Sequence, residues 1–275
     1  MIEIEDFHED IIGKAMRGLS IGKNEMSNLV GVEKSEIDSI LSGKVNERLI
    51  RLMAIVLKLD PEKLVYSARK VWTPTPLKIG GVKQFNMPFG TMFVNAYITW
   101  DRNSGKAWII DTGSDAKQLL DFIDENNLEI DAIFLTHTHS DHIGCLNNLK
   151  KKLNNPPVHV HYLEPLTDCN LIREGFRYSC ESLSLSVLHT YGHSVGGVTF
   201  SITGLECPIA FVGDAIFAGS MGGGMVSYED ALRTNREKIM SLPNKTILCP
   251  GHGPMTSVSE EKKNNPFFPE FRKSD

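Results

Sequence analysis

The sequence predicts a mixed α/β domain of about 200 residues preceded by a small all-α module. From Asp10 to about Ala68 every apolar pattern repeats at helical spacing, and beyond residue 72 the texture changes to short alternating runs. The prolines of Val71-Trp-Thr-Pro-Thr-Pro76, which cannot continue a helix, separate the two. The division is placed at 1–72 and 73–275.

In the first part, Ile11, Ile12, Ala15 and Met16, then Met26, Leu29 and Val30, then Ile37, Ile40 and Leu41, then Leu49, Leu52, Met53, Val56 and Leu57 predict four or five short helices. Gly31 and Gly43 stand where a helix C-terminus favours glycine, and Asn46-Glu47 and Asp60-Pro61-Glu62 read as helix starts. In the second part, strands are predicted at Phe93 to Trp100, Ala107 to Ile110, Ala132 to Leu135, Val158 to Tyr162, Leu183 to Leu188, Val198 to Ile202, Ile209 to Val212 and Thr246 to Cys249. Helices at Asp115 to Glu125, Ile143 to Leu153 and Ser227 to Leu242 lie between some of them.

Composition narrows the function. Of 275 residues 41% are hydrophobic, enough for a sizeable core, and 29 Lys and Arg against 34 Asp and Glu leave a net charge of −5. No bulk positive field therefore draws in nucleic acid or anionic membrane. No run approaches the roughly 20 apolar residues a membrane helix needs, and the acidic start is unlike a leader, so a soluble, cytoplasmic protein without a membrane partner is expected. The five cysteines contain no Cys-x-x-Cys, so each is expected as a small buried hydrophobe rather than a disulfide or zinc-cluster member.

The densest chemistry is Thr136-His137-Thr138-His139-Ser140-Asp141-His142, directly after an apolar strand. Two histidines at i and i+2 leaving a strand point to one side, and the turn that follows brings Asp141 and His142 to a second nearby point. One loop then offers ligands to two metal ions. Imidazole and carboxylate suit zinc, iron or manganese, and the lack of neighbouring thiols argues against a closed structural zinc site. His193, Asp214 and His252 each follow an apolar strand beside glycine and are further candidates.

In this order, His137-x-His139-x-Asp141-His142, Gly192-His193-Ser194 before Gly196-Gly197, Gly213-Asp214 and Pro250-Gly251-His252-Gly253, with Asp111-Thr112-Gly113 earlier, resemble the motifs of the metallo-β-lactamase fold, and within it the glyoxalase II-like hydrolases. The resemblance spans about residues 78 to 268 and extends to the closing stretch Asn265-Pro266-Phe267. It implies an αββα sandwich with two divalent ions, zinc first and iron or manganese as alternatives. His137, His139 and His193 would form one site and Asp141, His142 and His252 the other, with Asp214 bridging and Asp111 buttressing the histidine loop. It also implies a hydroxide between the ions attacking an acyl carbon, most directly a thioester, with Asp141 and Asp214 as the catalytic carboxylates. His159 and His161 fit no ligand motif and read as structural, and His189 as a residue orienting a ligand loop.

Two departures matter for the substrate. Glyoxalase II enzymes carry helices after the last motif that grip glutathione, whereas 23 residues follow His252 here. Where the subgroup has Gly-Arg, this chain reads Met221-Gly-Gly-Gly-Met225, which removes an anion donor and suggests a mobile or close-packed loop over the metals. A small-molecule acyl substrate other than glutathione's is therefore open. Persulfide dioxygenases resemble the chain in fold and much of the motif, and imply an alternative with a single iron held by two His and Asp214.

Lys23 to Lys44 is similar to the helix-turn-helix of Cro and lambda-repressor-type proteins, which implies a DNA-binding regulator as a reading from another class. Charge opposes it. Glu33, Glu36 and Asp38 face Lys34 alone where the recognition helix would lie, and residues 1 to 70 hold twelve acids and eleven bases. A role in homodimerisation, partner docking or packing over the metal cleft is preferred.

Overall fold

Along one central strand, Ala132 and Phe134 face one apolar layer while Ile133 and the following Leu135 face another, and this period-two alternation organises the protein. In the computed structural model, which describes residues 2–271, two six-stranded sheets pack face to face. The first runs β1 (Val82–Phe89), β2 (Met92–Trp100), β3 (Lys106–Ile110), β4 (Glu129–Phe134), β5 (Val158–His161) and β6 (Asn170–Ile172) in spatial order. Its first three strands are antiparallel and the rest parallel. The second holds β7 (Arg177–Cys180), β8 (Leu183–His189), β9 (Val198–Thr203), β10 (Ile209–Gly213), β11 (Ile247–Pro250) and β12 (Thr256–Ser257), again in sequence order, with only β10 and β11 parallel.

Three apolar layers result. Between the sheets, Trp108, Ile110 and Phe134 meet Leu185, Phe200 and Phe211, each fully buried and so contributing about 1.5–3 kcal/mol. Outside the first sheet, Ile109, Ile133 and Leu135 are covered by Leu119 and Ile123 of α6 (Ala116–Glu125) and Leu149 of α8 (Leu146–Lys152). Outside the second, Ala210, Val212 and Leu248 share one continuous core with the N-terminal helices. These are α1 (His8–Gly18), α2 (Lys23–Val30), α3 (Lys34–Leu41), α4 (Glu47–Val56) and α5 (Pro61–Ala68). Also on that side are α9 (Tyr228–Thr234) and α10 (Val258–Asn264). The expected α/β sandwich with helices on both outer faces is what forms.

The local signals acted as read. Asn46 and Asp60 cap α4 and α5 through their carboxyl or amide oxygens, and Gly31 ends α2 in the left-handed region. The buried Lys63 ammonium ties α5 to the C-terminal tail through the carbonyls of Lys262 and Phe268, both at 2.9 Å.

Other expectations are corrected. The helix expected at Ile143 to Leu153 is two: α7 (Ser140–Ile143), which starts early enough to include Asp141 and His142, and then α8. Between them the Cys145 N–H donates to the Gly113 carbonyl at 3.1 Å, drawing the chain away from helical bonding. The helix expected to Leu242 widens into a π turn at Asn235–Ile239, where the buried Asn235 amide donates to the Ala215 carbonyl at 2.8 Å. Strands β1, β6, β7 and β12 were not expected. β1 carries Lys83, Gln84, Asn86 and Pro88 and pairs only with β2, so an edge position hides its alternation. Cys145 and Cys249 are buried, but Cys169, Cys180 and Cys207, in edge strands and loops, are partly exposed, and all five are unpaired. Among the described residues no helix is long and apolar enough to cross a membrane.

Candidate metal centre

The strands β4, β8, β10 and β11 deliver their C-terminal loops to one edge of the sandwich, and the seven candidate side chains meet there. One ligand atom each from His137, His139, His193 and Asp214 lie within 4.8 Å of one another, and Asp141, His142 and His252 form a second such group. His139 Nδ1 is 3.1 Å from His137 Nε2 and 3.0 Å from His193 Nε2. Asp214 stands between the groups: Oδ2 is 3.3 Å from His193 Nε2 and 3.4 Å from His252 Nε2, and Oδ1 is 3.3 Å from His142 Nε2. Asp141 Oδ2 lies 3.3 Å from His252 Nε2. His139 is exposed while His137, His142 and His252 are buried, so the centre meets solvent at His139.

Four of the five imidazoles, all but that of His139, are oriented by a bond from the nitrogen that faces away from the cluster. His142 Nδ1 donates to Asp111 Oδ2 at 2.9 Å, His193 Nδ1 to the Gly223 carbonyl at 2.9 Å and His252 Nδ1 to the Phe93 carbonyl at 2.5 Å. Thr136 Oγ1 donates to Asp111 Oδ2 at 2.7 Å, so it accepts from His137 Nδ1 at 3.1 Å. In every case Nε2 is left facing the cluster with its lone pair. Asp111 thus acts on two histidines from behind, in the position expected for a buttress.

The electrostatics fit a cation. Burial raises the Asp214 carboxyl, but the His252 and His142 charges outweigh it and hold it well below the carboxylate range. Burial works against protonation of His142 and His252, yet the carboxylates beside them push these up to about 10 and about 11. A cation at this point takes over the role of those protons. His142 Nε2 and Asp214 Oδ1 are buried with no hydrogen-bond partner, an arrangement that costs about 1–3 kcal/mol per group unless a ligand satisfies it. These orphaned atoms, together with N and O donors and no thiol, suit two divalent metal ions.

Sequence reasoning missed Glu164. Its Oε2 accepts from the N–H of Thr138 at 2.7 Å and its Oε1 from the N–H of Gly196 at 2.7 Å, pinning the loop of His137 and His139 to that of His193. Burial opposes its charge, but these donors hold the carboxyl below its ordinary value. Its place at the C-terminal end of β5, the same edge as the histidines, is the signal that marks it. Asn95 and Tyr97 were missed too: Asn95 Nδ2 and Tyr97 Oη donate to the Pro250 carbonyl at 2.9 and 2.7 Å, tying the His252 loop to β2.

His159 and His161 are buried away from the cluster, His159 stacked on Phe134 at 4.8 Å and His161 on His189 at 4.2 Å. His189 Nε2 bonds to the Val195 carbonyl at 3.0 Å, two residues from His193. Burial, then His189, lowers His161 from 6.5 to about 4. The unfolded chain therefore takes up this proton first, and the stability of the neutral ring, full above pH 6.5, is lost as pH falls toward 4. Because His161 Nδ1 has no partner, His161→Phe is expected to fold. Its melting temperature should exceed that of the parent by several degrees more at pH 4.5 than at pH 7.5, and parallel pH profiles would refute this.

The comparisons agree with the fold. The family model described as Metallo-beta-lactamase superfamily matches residues 89–167 and 170–252, so the five N-terminal helices lie outside it. The probable metallo-hydrolase YqgX of Bacillus subtilis is 32% identical over 216 residues, covering 69% of this chain and 99% of that protein. The hydroxyacylglutathione hydrolase GloC of Haemophilus influenzae is 30% identical over 198 residues, covering 63% and 92%. The solved structure of the BLEG-1 B3 metallo-beta-lactamase matches with a TM-score of 0.60 at 30% identity, over 68% of this chain and 99% of that one.

Proposed function

The chain belongs to the metallo-beta-lactamase superfamily, and from that premise we propose that it is a binuclear metallohydrolase cleaving an acyl bond, first of all a thioester. The observation that carries the reading is Asp214, buried between two complete donor groups with a carboxylate oxygen toward each. His137, His139 and His193 would hold one ion and Asp141, His142 and His252 the other, with Asp214 shared. Zinc suits these donors first, and iron or manganese next. Bound there, two such cations would supply a hydroxide nucleophile at neutral pH and polarisation of the carbonyl under attack.

The chain's own residues do the rest. Thr136, Asp111, Gly223 and Phe93 fix the imidazole tautomers, and Asp141 beside His252 faces the same space. The exposed side chains of Phe93, on the strand whose carbonyl holds His252, and of Val195 and Val226, on loops beside His193, offer an apolar rim for a substrate with an apolar part. The likeness to GloC favours a thioester, and the absence of an Arg in Met221-Gly-Gly-Gly-Met225 loosens the preference for a glutathione conjugate.

Elemental analysis with a substrate panel tests this. About two ions per chain, hydrolysis of acyl thioesters ahead of β-lactams and loss of activity on chelation are expected. One iron per chain with oxygen uptake on persulfide would replace the hydrolase by a mononuclear dioxygenase.

A further inference from the structure

We propose that the N-terminal segment is part of the metal centre, with Asp6 and Lys14 as positioning residues for His193. The inference rests on the metal centre proposed above and adds to it a part of the chain outside the family match.

The path is short and consists of hydrogen bonds and close packing. The buried Asp6 carboxylate accepts from Ser220 Oγ at 2.6 Å and from the Lys14 ammonium. Lys14 Nζ donates in turn to the Met221 carbonyl at 2.9 Å and lies 4.8 Å from the Phe217 ring centroid, whose ring packs on His252 at 5.3 Å. Ser220 and Met221 are themselves buried. The next residue, Gly222, is pressed so closely against the Asp214 carbonyl that an added Cβ would lie 2.0 Å from its oxygen and 3.0 Å from His193 Nδ1. Gly223 then supplies the carbonyl that orients His193. Gly222 is therefore closely packed, as is Gly224, where an added Cβ would lie 2.4 Å from the Tyr228 backbone, and α1 braces the loop they belong to.

A second contact at the other end of α1 supports the same role. Gly18 lies under the Tyr228 ring, where an added Cβ would approach within 2.2 Å. Tyr228 opens α9, and Thr234 of that helix donates to the Tyr191 carbonyl at 2.9 Å, two residues before His193. Asp6 and α1 together therefore clasp the segment from Ser220 to Tyr228 at both ends. Lys14 is an internal partner to Asp6 in this arrangement, so the bracing needs no ligand to complete it.

The test is equilibrium metal affinity of the full chain by chelator competition, which needs no substrate. Lys14→Met and Asp6→Asn are both close in volume to the native residues. Each is expected to weaken the ion held by His193 about 10–100-fold, with the other ion less affected and Lys14→Arg restoring most of the loss. Ile50→Ala, in the buried core of α4, serves as the control: it should lower the melting temperature without changing metal affinity. Unchanged affinity in Lys14→Met and Asp6→Asn would overturn the proposal, as would an equal loss in Ile50→Ala, which would reduce the helices to general stabilisation. A parent chain that binds no metal would instead remove the centre itself, and this inference with it.

Discussion

Asp214→Ala is expected to abolish turnover, by about a thousandfold or more, and to leave fewer than two tightly bound ions per chain while the sandwich stays folded. The carboxylate is the one group shared by both donor sets, 3.3 Å from His142 on one oxygen and 3.3 and 3.4 Å from His193 and His252 on the other. Without it, the burial that disfavours charge on His142 and His252 is no longer opposed from this side, and both should fall from their raised values. Their affinity for protons and for cations derives from the same negative neighbour. Asp214→Asn separates charge from shape, and should lose activity nearly as completely while melting closer to the parent. The melting temperature with saturating metal should fall more than without it, since ion binding stabilises only the folded state. Turnover within tenfold of the parent in either variant would remove Asp214 from the mechanism.

The candidate site was legible because its chemistry is local in sequence. His137, His139, Asp141 and His142 fall within six residues, and each remaining candidate ligand follows an apolar strand, so a strand-end rule finds them all. Glu164 sits by the same rule at the end of β5, but a single carboxylate without a motif carries no signal until Thr138 and Gly196 are seen to donate to it. The layers were legible where a run is wholly apolar, as in Ala132 to Phe134 of β4, whose two faces both meet buried layers, and illegible in β1, whose polar residues reflect an edge position that only the pairing reveals. Least legible was the bracing by Asp6 and Lys14. Those residues lie more than 200 positions from Ser220 and Met221, and nothing in the composition of α1 distinguishes a strut from an ordinary helix.

Asp111 offers the sharpest separation of structure from chemistry. It is buried in the left-handed region at φ 54, and its two oxygens accept from the Thr136 N–H, Thr136 Oγ1 and His142 Nδ1. Asp111→Ala strains the backbone by about 1–2 kcal/mol. It also strands three buried donors at about 1–3 kcal/mol each before relaxation, so a net loss of about 3–5 kcal/mol and weaker metal binding are expected together. Asp111→Asn behaves differently. Asparagine tolerates the left-handed region, and its oxygen still accepts from the Thr136 N–H, although the Thr136 hydroxyl, like His142, loses its acceptor. The amide nitrogen, however, donates where the carboxylate accepted, and His142 can meet it only by turning Nδ1 into the acceptor. The proton then moves to Nε2, the atom that faces Asp214. Asp111→Asn should therefore melt within a few degrees of the parent yet lose second-ion affinity about 10–100-fold. If it binds that ion as tightly as the parent, the tautomer of His142 is not set by Asp111.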